Sequence, residues 1–576
     1  MSNQEVAQFL YQIAAMLEIT GESKFRIVAY ERAGHSVEHL ADDIRDIWQA
    51  GKLEQIEGIG PSIAEVIGEL LGKGRSRYYE ELRKKVPKEE LELTEVPGVG
   101  PRSAKLLYSK YKIKGIRELT KAAKSGQIRQ IPHFGETSER NILRGIELLK
   151  KSKIERERVS LAIAEPIARD LVDRLQTLEA VEKCDAVGSL RRMRETIGDV
   201  DIIVGSEEPK KVVEAFARFP VFRRILARGL TKASAIHRHN VRVDLEVLPP
   251  RDYGSLLQHF TGSKEHNVRL RTWAVKKGLK VSEHGIVKKG KTYHFSDEQS
   301  FYRFLGLEYI PPEMREDTGE FDLALKHRLP KLIELKDMRG DLHVHTIESD
   351  GSNKPEELVR EAQNLGYEYL CLSDHTKGLG VASGLNEKRF ARQFELIKKL
   401  NKKFRGFHLL SGAEVNITAT GDLDIRKDVL GQMDIVIGSV HSSFNQTKEV
   451  MTKRIVKAIS NKEIDILGHP SGRLIGEREP YEVDWPAVFR AAAKNGVALE
   501  VNSSPERLDL KDVLIKEAIK YGVKIAIDTD SHNLDHLLQM RYGVAQARRG
   551  WARKGDVINT MSAADLMKWA KRKGGK

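Results

Sequence analysis

Gly188-Ser189-Leu190-Arg191-Arg192, followed by Gly198-Asp199-Val200-Asp201-Ile202-Ile203-Val204, is the stretch on which the central reading of this chain turns. The apolar tail Ile202-Ile203-Val204 marks a strand. Residues two apart on a strand share a face, so Asp199 and Asp201 project together. A second alternating segment, Val241-Arg242-Val243-Asp244-Leu245-Glu246-Val247, puts Asp244 on a polar face opposite its valines. Three clustered carboxylates repel one another unless cations neutralise them. Two Mg²⁺ (or Mn²⁺) ions, hard and oxygen-seeking, suit such a site and also bind a triphosphate. Gly188 and Ser189 let the backbone approach phosphates, and Arg192 can neutralise them. A lone Asp-x-Asp occurs often at solvated strand ends. Gly-Ser, an Asp-x-Asp starting ten residues after that serine, and a further strand Asp together point to in-line phosphoryl transfer.

Upstream, residues 1–50 show apolar residues at helical spacing, as in VAQFLYQIAAML. Then Ile56-Glu57-Gly58-Ile59-Gly60-Pro61-Ser62 precedes a helical stretch, and Val96-Pro97-Gly98-Val99-Gly100-Pro101-Arg102 repeats it 40 residues later. A third, weaker copy has His133 in place of its first glycine. Gly-apolar-Gly between two helices makes a tight hairpin whose backbone N–H groups face outward at a helix N-terminus. Such a turn can hold a phosphate without reading a base. One copy alone could be an ordinary helix connection; two close copies in a basic protein favour phosphate binding through Gly58, Gly60, Gly98 and Gly100. The pattern resembles the helix-hairpin-helix of DNA repair proteins.

The bulk numbers frame these motifs. At 576 residues the chain is too long for one hydrophobic core, and three to five compact units are expected. No run of about 18 apolar residues marks a membrane helix, and MSNQEVAQFL lacks the layout of a signal peptide. With Cys184 and Cys371 far apart, a disulfide framework is excluded and a reducing, cytoplasmic setting is expected. A net charge of +14 suggests a polyanionic partner.

Beyond Gly340, short apolar runs recur, most of them ending in a candidate ligand. They are Asp341-Leu342-His343-Val344-His345, YLCLSDH ending at His375, LLSGAE at Glu414, IVIGSVH at His441, DILGH at His469, VALEV at Val501, and VKIAIDTDSH at Asp530 and His532. Seven strand–helix units with polar strand ends describe a barrel of the TIM type, one unit short. Imidazole and carboxylate ligands together suit Zn²⁺ or Mn²⁺. His237, His239, His408 and His536 fall outside this pattern and are read as structural or solvated.

On these residues, positions 1–320 resemble the family X DNA polymerases, the group of DNA polymerase beta. The resemblance implies a multidomain protein: a helical lyase-like DNA-binding domain over 1–90, helix-hairpin-helix fingers over 91–150, an α/β nucleotidyltransferase palm over 151–250 and a thumb-like nucleotide-selecting domain over 251–320. It assigns catalysis to Asp199, Asp201 and Asp244, and triphosphate contacts to Gly188, Ser189 and Arg192. The segment His259-Phe260-Thr261-Gly262-Ser263-Lys264-Glu265-His266-Asn267 is similar to the family's nucleotide-sugar motif, and it adds Phe260, Gly262, Asn267 and Arg271 to the nucleotide site. Two departures stand out. Val66 occupies the position of the Schiff-base lysine, with Glu54 and Ser62 at neighbouring phosphate-pocket lysines, and His259 stands where an aromatic hydroxyl is common.

After a linker over 321–340, positions 341–576 resemble the polymerase-and-histidinol-phosphatase (PHP) domain, a distorted (β/α)7 barrel. Its motif D-x-H-x-H-T-x-x-S-D-G stands intact from Asp341 to Gly351. The resemblance implies nine ligands for about three ions: His343, His345, Asp350, His375, Glu414, His441, His469, Asp530 and His532. The combination implies a monomeric gap-filling polymerase acting on gapped or nicked DNA with deoxynucleoside triphosphates. The barrel would process 3′ ends or abasic sites. Two other readings remain at this point: a DNA-binding scaffold with a vestigial polymerase, and a small-molecule phosphatase with a DNA-tethering arm.

Overall fold

A computed structural model describes residues 3–38, 44–56, 58–96, 98–132, 134–156, 158–379 and 382–571. His133 of the third glycine copy lies outside them. The chain divides into two compact units, Met1–Arg156 and Glu157–Lys576.

The first unit is helical, with two separate cores. Helices Asn3–Thr20 and Lys24–Glu38 pack together, and Val6, Leu10, Ile13 and Leu17 of the first recur at helical spacing and are fully buried. Their core runs on to Leu91, while a second core takes residues from Leu93 to Ile146.

In the second unit, strands β1 (Lys183–Ala186), β2 (Asp199–Gly205), β3 (Phe222–Arg228), β4 (Lys232–His237) and β5 (Arg242–Leu248) form a mixed sheet in the order β1-β2-β5-β4-β3. The period of two decides what each face does. Val200, Ile202 and Val204 join a core with helices Leu161–Gln176 and Pro209–Phe216. Ile203 faces the other way, against Val187, Leu248 and Leu256 of helix Tyr253–Thr261. Asp199 and Asp201 share the parity of Ile203, so they stand on that second face. A three-stranded antiparallel sheet follows, β6 (Leu279–Ser282), β7 (Gly285–Lys288) and β8 (Lys291–Tyr293).

The barrel strands are β9 (Gly340–Val344), β10 (Tyr369–Leu372), β11 (His408–Asn416), β12 (Ile435–Ser439), β13 (Ile466–Leu467), β14 (Ala498–Asn502) and β15 (Ile525–Asp528), all parallel and in sequence order. Beyond β15, the His345 amide donates to the Ser531 carbonyl at 2.8 Å and the Ser531 amide to the His343 carbonyl at 3.2 Å. These bonds bring the last strand end back to the first, giving a nearly closed seven-stranded barrel. Leu342, Cys371, Ile437, Ile466, Ala498 and Ala526 pack together with Leu566 of the final helix, Ala563–Lys571.

The connection expected as a linker is packed. It begins with helix Glu320–Leu325, whose Phe321 and Ala324 join the core beside β6–β8 along with Leu332, while Ile333 and Met338 join the barrel core. The β1–β5 sheet and the barrel also share a core, since Leu508 and Tyr542 of the barrel lie among the buried side chains packed on that sheet. Among the described residues, no helix is long and apolar enough to cross a membrane.

Candidate active sites

In the β1–β5 sheet, the parallel pairing of β2 with β5 puts Asp201 directly beside Asp244. Ligand atoms of Asp199, Asp201 and Asp244 all lie within 4.8 Å of one another. Burial pushes Asp201 up to about 7, with the charges of Asp199 and Asp244 adding to the shift. Arg242 Nε lies 2.9 Å from Asp244 Oδ2, and Ser234 Oγ donates to Asp244 Oδ1. Gly188 has a positive φ of 65°, and a Cβ there would collide with the Asp201 carboxylate. Only glycine lets the turn sit over the carboxylates. Three half-buried carboxylates converging in this way form a donor set that fits hard divalent ions.

The barrel's strand ends carry a larger cluster. Three groups converge there: His345, Asp350, His375 and His532; His343, His345, Glu414 and Asp530; and His375, Glu414 and His441. His345, His375 and Glu414 each belong to two groups, so the three groups form one continuous cluster. His469 lies outside these groups but adjoins them, its Nε2 2.8 Å from Glu414 Oε1. His375 Nδ1 stands 2.9 Å from Glu414 Oε2. Yet both atoms, with His343 Nε2 and His345 Nδ1, are buried without an aligned hydrogen bond. Buried polar atoms rarely go unpartnered. Donors that converge without pairing fit metal ions of the kind imidazole and carboxylate hold.

The electrostatics divide the imidazoles of the cluster. Burial and the neighbouring imidazoles of His375, His532 and His343 hold His345 down to about 3, so it stands in the neutral form that a metal requires. Burial disfavours the His343 imidazolium, but Asp530, Glu500 and Glu414 outweigh it and hold His343 well above its ordinary range. Glu414 is likewise buried, yet His441, His375 and His343 keep it well below the carboxylate range.

Several supporting residues escape a reading by strand ends. Glu500 Oε1 contacts His343 Nδ1, Asn416 Oδ1 lies 2.5 Å from His441 Nδ1, and Asn502 Nδ2 donates to Asp530 Oδ2 at 3.0 Å. The signal for Glu500 was an acid flanked by apolar residues in VALEV, since a central parallel strand buries both faces.

Comparison with known proteins fits this geometry. Residues 1–76 match a helix-hairpin-helix domain, 90–147 a tandem helix-hairpin-helix, 256–316 the DNA polymerase beta thumb and 341–504 the PHP domain. The chain is 36% identical over 576 residues, 99% of its length and 100% of the relative's, to the DNA polymerase/3′-5′ exonuclease PolX of Bacillus subtilis. The chain belongs to the PolX family. It is also 34% identical over 203 residues, 33% of this chain and 78% of the relative, to a protein of Thermoanaerobacter named as a probable phosphatase.

Gly58 and Gly98 take positive φ of 84° and 92°, while Gly60 and Gly100 precede helices Pro61–Lys73 and Pro101–Ser109 with open space where a Cβ would stand. Ile59 and Val99 between the glycines are buried, fixing each hairpin to its core. Val66 is buried in the same core, where it offers no amine. Arg192 Nη1 donates to the Thr261 carbonyl at 2.5 Å, beside Gly262. Phe260 is half-buried against the core under Asp199 and Asp201. The Asn267 amide is engaged on both sides, by Gln258 Nε2 at 2.8 Å and the His259 carbonyl at 2.7 Å. Arg271 is exposed, and its Nε donates to the Asn267 carbonyl. His237 is buried, as a structural histidine should be.

Proposed function

We propose that the chain is a DNA-directed DNA polymerase that fills short gaps in DNA repair, with a PHP barrel acting as a 3′-5′ exonuclease. The observation that carries the polymerase reading is the convergence of Asp199, Asp201 and Asp244 on two registered strands beneath the Gly188 turn. Asp199, Asp201 and Asp244 would hold Mg²⁺ or Mn²⁺; the nine barrel residues, from His343 to His532, would hold about three Mn²⁺ or Zn²⁺ ions. When bound, the ions supply charge neutralisation in both sites, activating the primer hydroxyl in the palm and a water in the barrel. The chain's residues do the rest. Gly188 and Ser189 admit the triphosphate, Arg192 takes up its charge, and Phe260, Gly262, Asn267 and Arg271 flank the incoming nucleotide. Gly58, Gly60, Gly98 and Gly100 would grip the DNA backbone without reading sequence. In the barrel, Glu500, Asn416 and Asn502 orient ligands, and Arg507, with Nε 3.8 Å from Asp530 Oδ2, offers a cation to a phosphate. We read the protein as a cytoplasmic monomer.

Labelled primer on a one-nucleotide gap tests this. Extension with all four deoxynucleoside triphosphates and shortening without them are expected. A chain that binds the gap and does neither would refute the reading. The likeness to probable phosphatases favours a second reading of the barrel, removal of 3′-phosphates. Release of phosphate from 3′-phosphorylated DNA with no loss of nucleotides would support it.

A further inference from the structure

Outside both metal clusters, buried arginines join the barrel to the β1–β5 sheet, Arg473 through Glu195 at 2.9 Å and Arg549 through a larger network. Arg549, at the end of helix Met540–Arg549, has 2% of its side chain exposed. Its Nη1 donates to the Arg192 carbonyl at 2.7 Å and to Glu316 Oε1 at 3.0 Å. Its Nε and Nη2 hold Asp512 Oδ2 at 3.0 and 2.7 Å. The same Glu316 Oε1 accepts from Arg192 Nε at 3.1 Å, and Arg194 Nη1 lies 3.8 Å from Oε2. With Ser189, Lys511 and Lys516, these residues line a cavity of about 600 Å³ between palm and barrel.

We propose that Arg549 of the PHP barrel is a positioning residue for nucleotide binding by the polymerase, acting through Glu316 on Arg192. This rests on the reading of Arg192 as a triphosphate contact. Glu316 is an anion already seated on Arg192, so it competes with the triphosphate. To turn towards phosphate, the Arg192 guanidinium must leave a largely buried carboxylate behind, and an abandoned buried charge is costly. Arg549 removes that cost. Anchored by Asp512, it stays on Glu316 whether or not Arg192 does, and charge-assisted bonds of this kind are among the stronger ones available. Its second contact, to the Arg192 carbonyl, fixes the backbone from which that side chain swings. The polymerase site thereby depends on a residue of the other catalytic domain, 357 positions away in sequence.

Single-nucleotide gap filling by the full chain tests this. Arg549→Met should raise KM for the deoxynucleoside triphosphate about 5- to 20-fold with kcat within about twofold, a loss of binding and not of the transition state. Degradation of single-stranded DNA by the barrel should stay at the wild-type rate. Adding Glu316→Gln to Arg549→Met should return KM towards wild type, because the competing charge is gone. Arg549→Lys, which keeps the charge but loses the fork, should be intermediate and guards against a misfolded methionine variant. Wild-type KM in both Arg549 variants overturns the proposal. So does a double variant as weak as Arg549→Met, or a parallel fall in kcat and barrel activity, which marks a merely structural role. Arg192→Ala separates the two layers. If it leaves KM unchanged, the reading of Arg192 fails. If it raises KM while Arg549→Met does not, only the role of Arg549 fails.

Discussion

Glu500 Oε1 lies 2.6 Å from His343 Nδ1, with both side chains fully buried. The contact engages Nδ1 of His343 and turns Nε2 towards Glu414 and Asp530, whose oxygens lie 3.4 and 3.5 Å away. The carboxylate behind a ligating histidine commonly contributes about 10- to 100-fold to metal affinity. Glu500→Ala should therefore weaken Mn²⁺ binding by about that factor in a calorimetric titration and slow DNA degradation, while gap filling stays intact. Unchanged metal affinity would remove Glu500 from the site.

Much of this arrangement was legible in the sequence, and the misses have a common cause. The parity of Asp199 and Asp201 follows from a period of two, and the barrel from short apolar runs ending in ligands; both are local patterns. Glu500 was passed over because VALEV reads as an apolar run whose end is Val501. Its role arises only when β14 lies in the same barrel as β9. The packing of Phe321 and Ile333 was hidden for a similar reason. Each is buried by a different core, and neither core is visible from the segment itself. Arg549 and Glu316 meet across 233 positions, where no spacing rule reaches.

The palm should load metal in a pH-dependent way. Without metal, Asp201 is pushed up to about 7 by burial and by Asp199 and Asp244, so below that pH a proton occupies it. Metal binding needs the ionised form and releases that proton. Apparent Mg²⁺ affinity should rise as pH increases from about 6 to about 8, and Asp199→Asn, which removes one repelling charge, should shift the rise to lower pH. A flat profile of Mg²⁺ affinity against pH, measured by direct calorimetric titration of both proteins, would contradict this.

Acid should remove a stabilising contribution of Glu298 progressively, below the pH at which ordinary carboxylates titrate. Glu298 is buried, but Arg315 and Arg191, at 2.5 and 2.8 Å, outweigh that cost and hold it near 2, below its ordinary 4.5. A depressed carboxylate contributes stability above its unfolded pKa and loses it as pH falls through the folded value. The contribution, about 3 kcal/mol, should be present above pH 4.5 and disappear between there and about 2. Glu298→Gln should abolish that acid-dependent loss and destabilise at neutral pH by about 3–5 kcal/mol, because Arg315 is left buried and unpaired. Denaturant melts at pH 7 and pH 3 would show it; equal stability of both proteins at pH 7 would contradict it.

The two glycines of each hairpin should fail differently. Gly58 and Gly98 adopt positive φ, so alanine there should cost about 1–2 kcal/mol of stability. Gly60 and Gly100 do not, and alanine should leave melting unchanged while lowering affinity for gapped DNA by obstructing backbone approach. Binding should also fall steeply with salt. Fluorescence anisotropy across ionic strengths checks both points, and wild-type affinity of the Gly60→Ala, Gly100→Ala variant would rule out the hairpins.

The central claim is that two metal sites on separate domains divide polymerisation from degradation. It is tested most directly by following a 5′-labelled primer on gapped DNA with each site disabled in turn. Asp201→Asn should abolish nucleotide addition, leaving DNA binding and shortening of the primer near wild type. His345→Ala with Glu414→Ala should abolish shortening and leave extension intact. If Asp201→Asn instead removed the shortening while the barrel variant retained it, the nuclease would belong to the palm and the division of labour would be wrong.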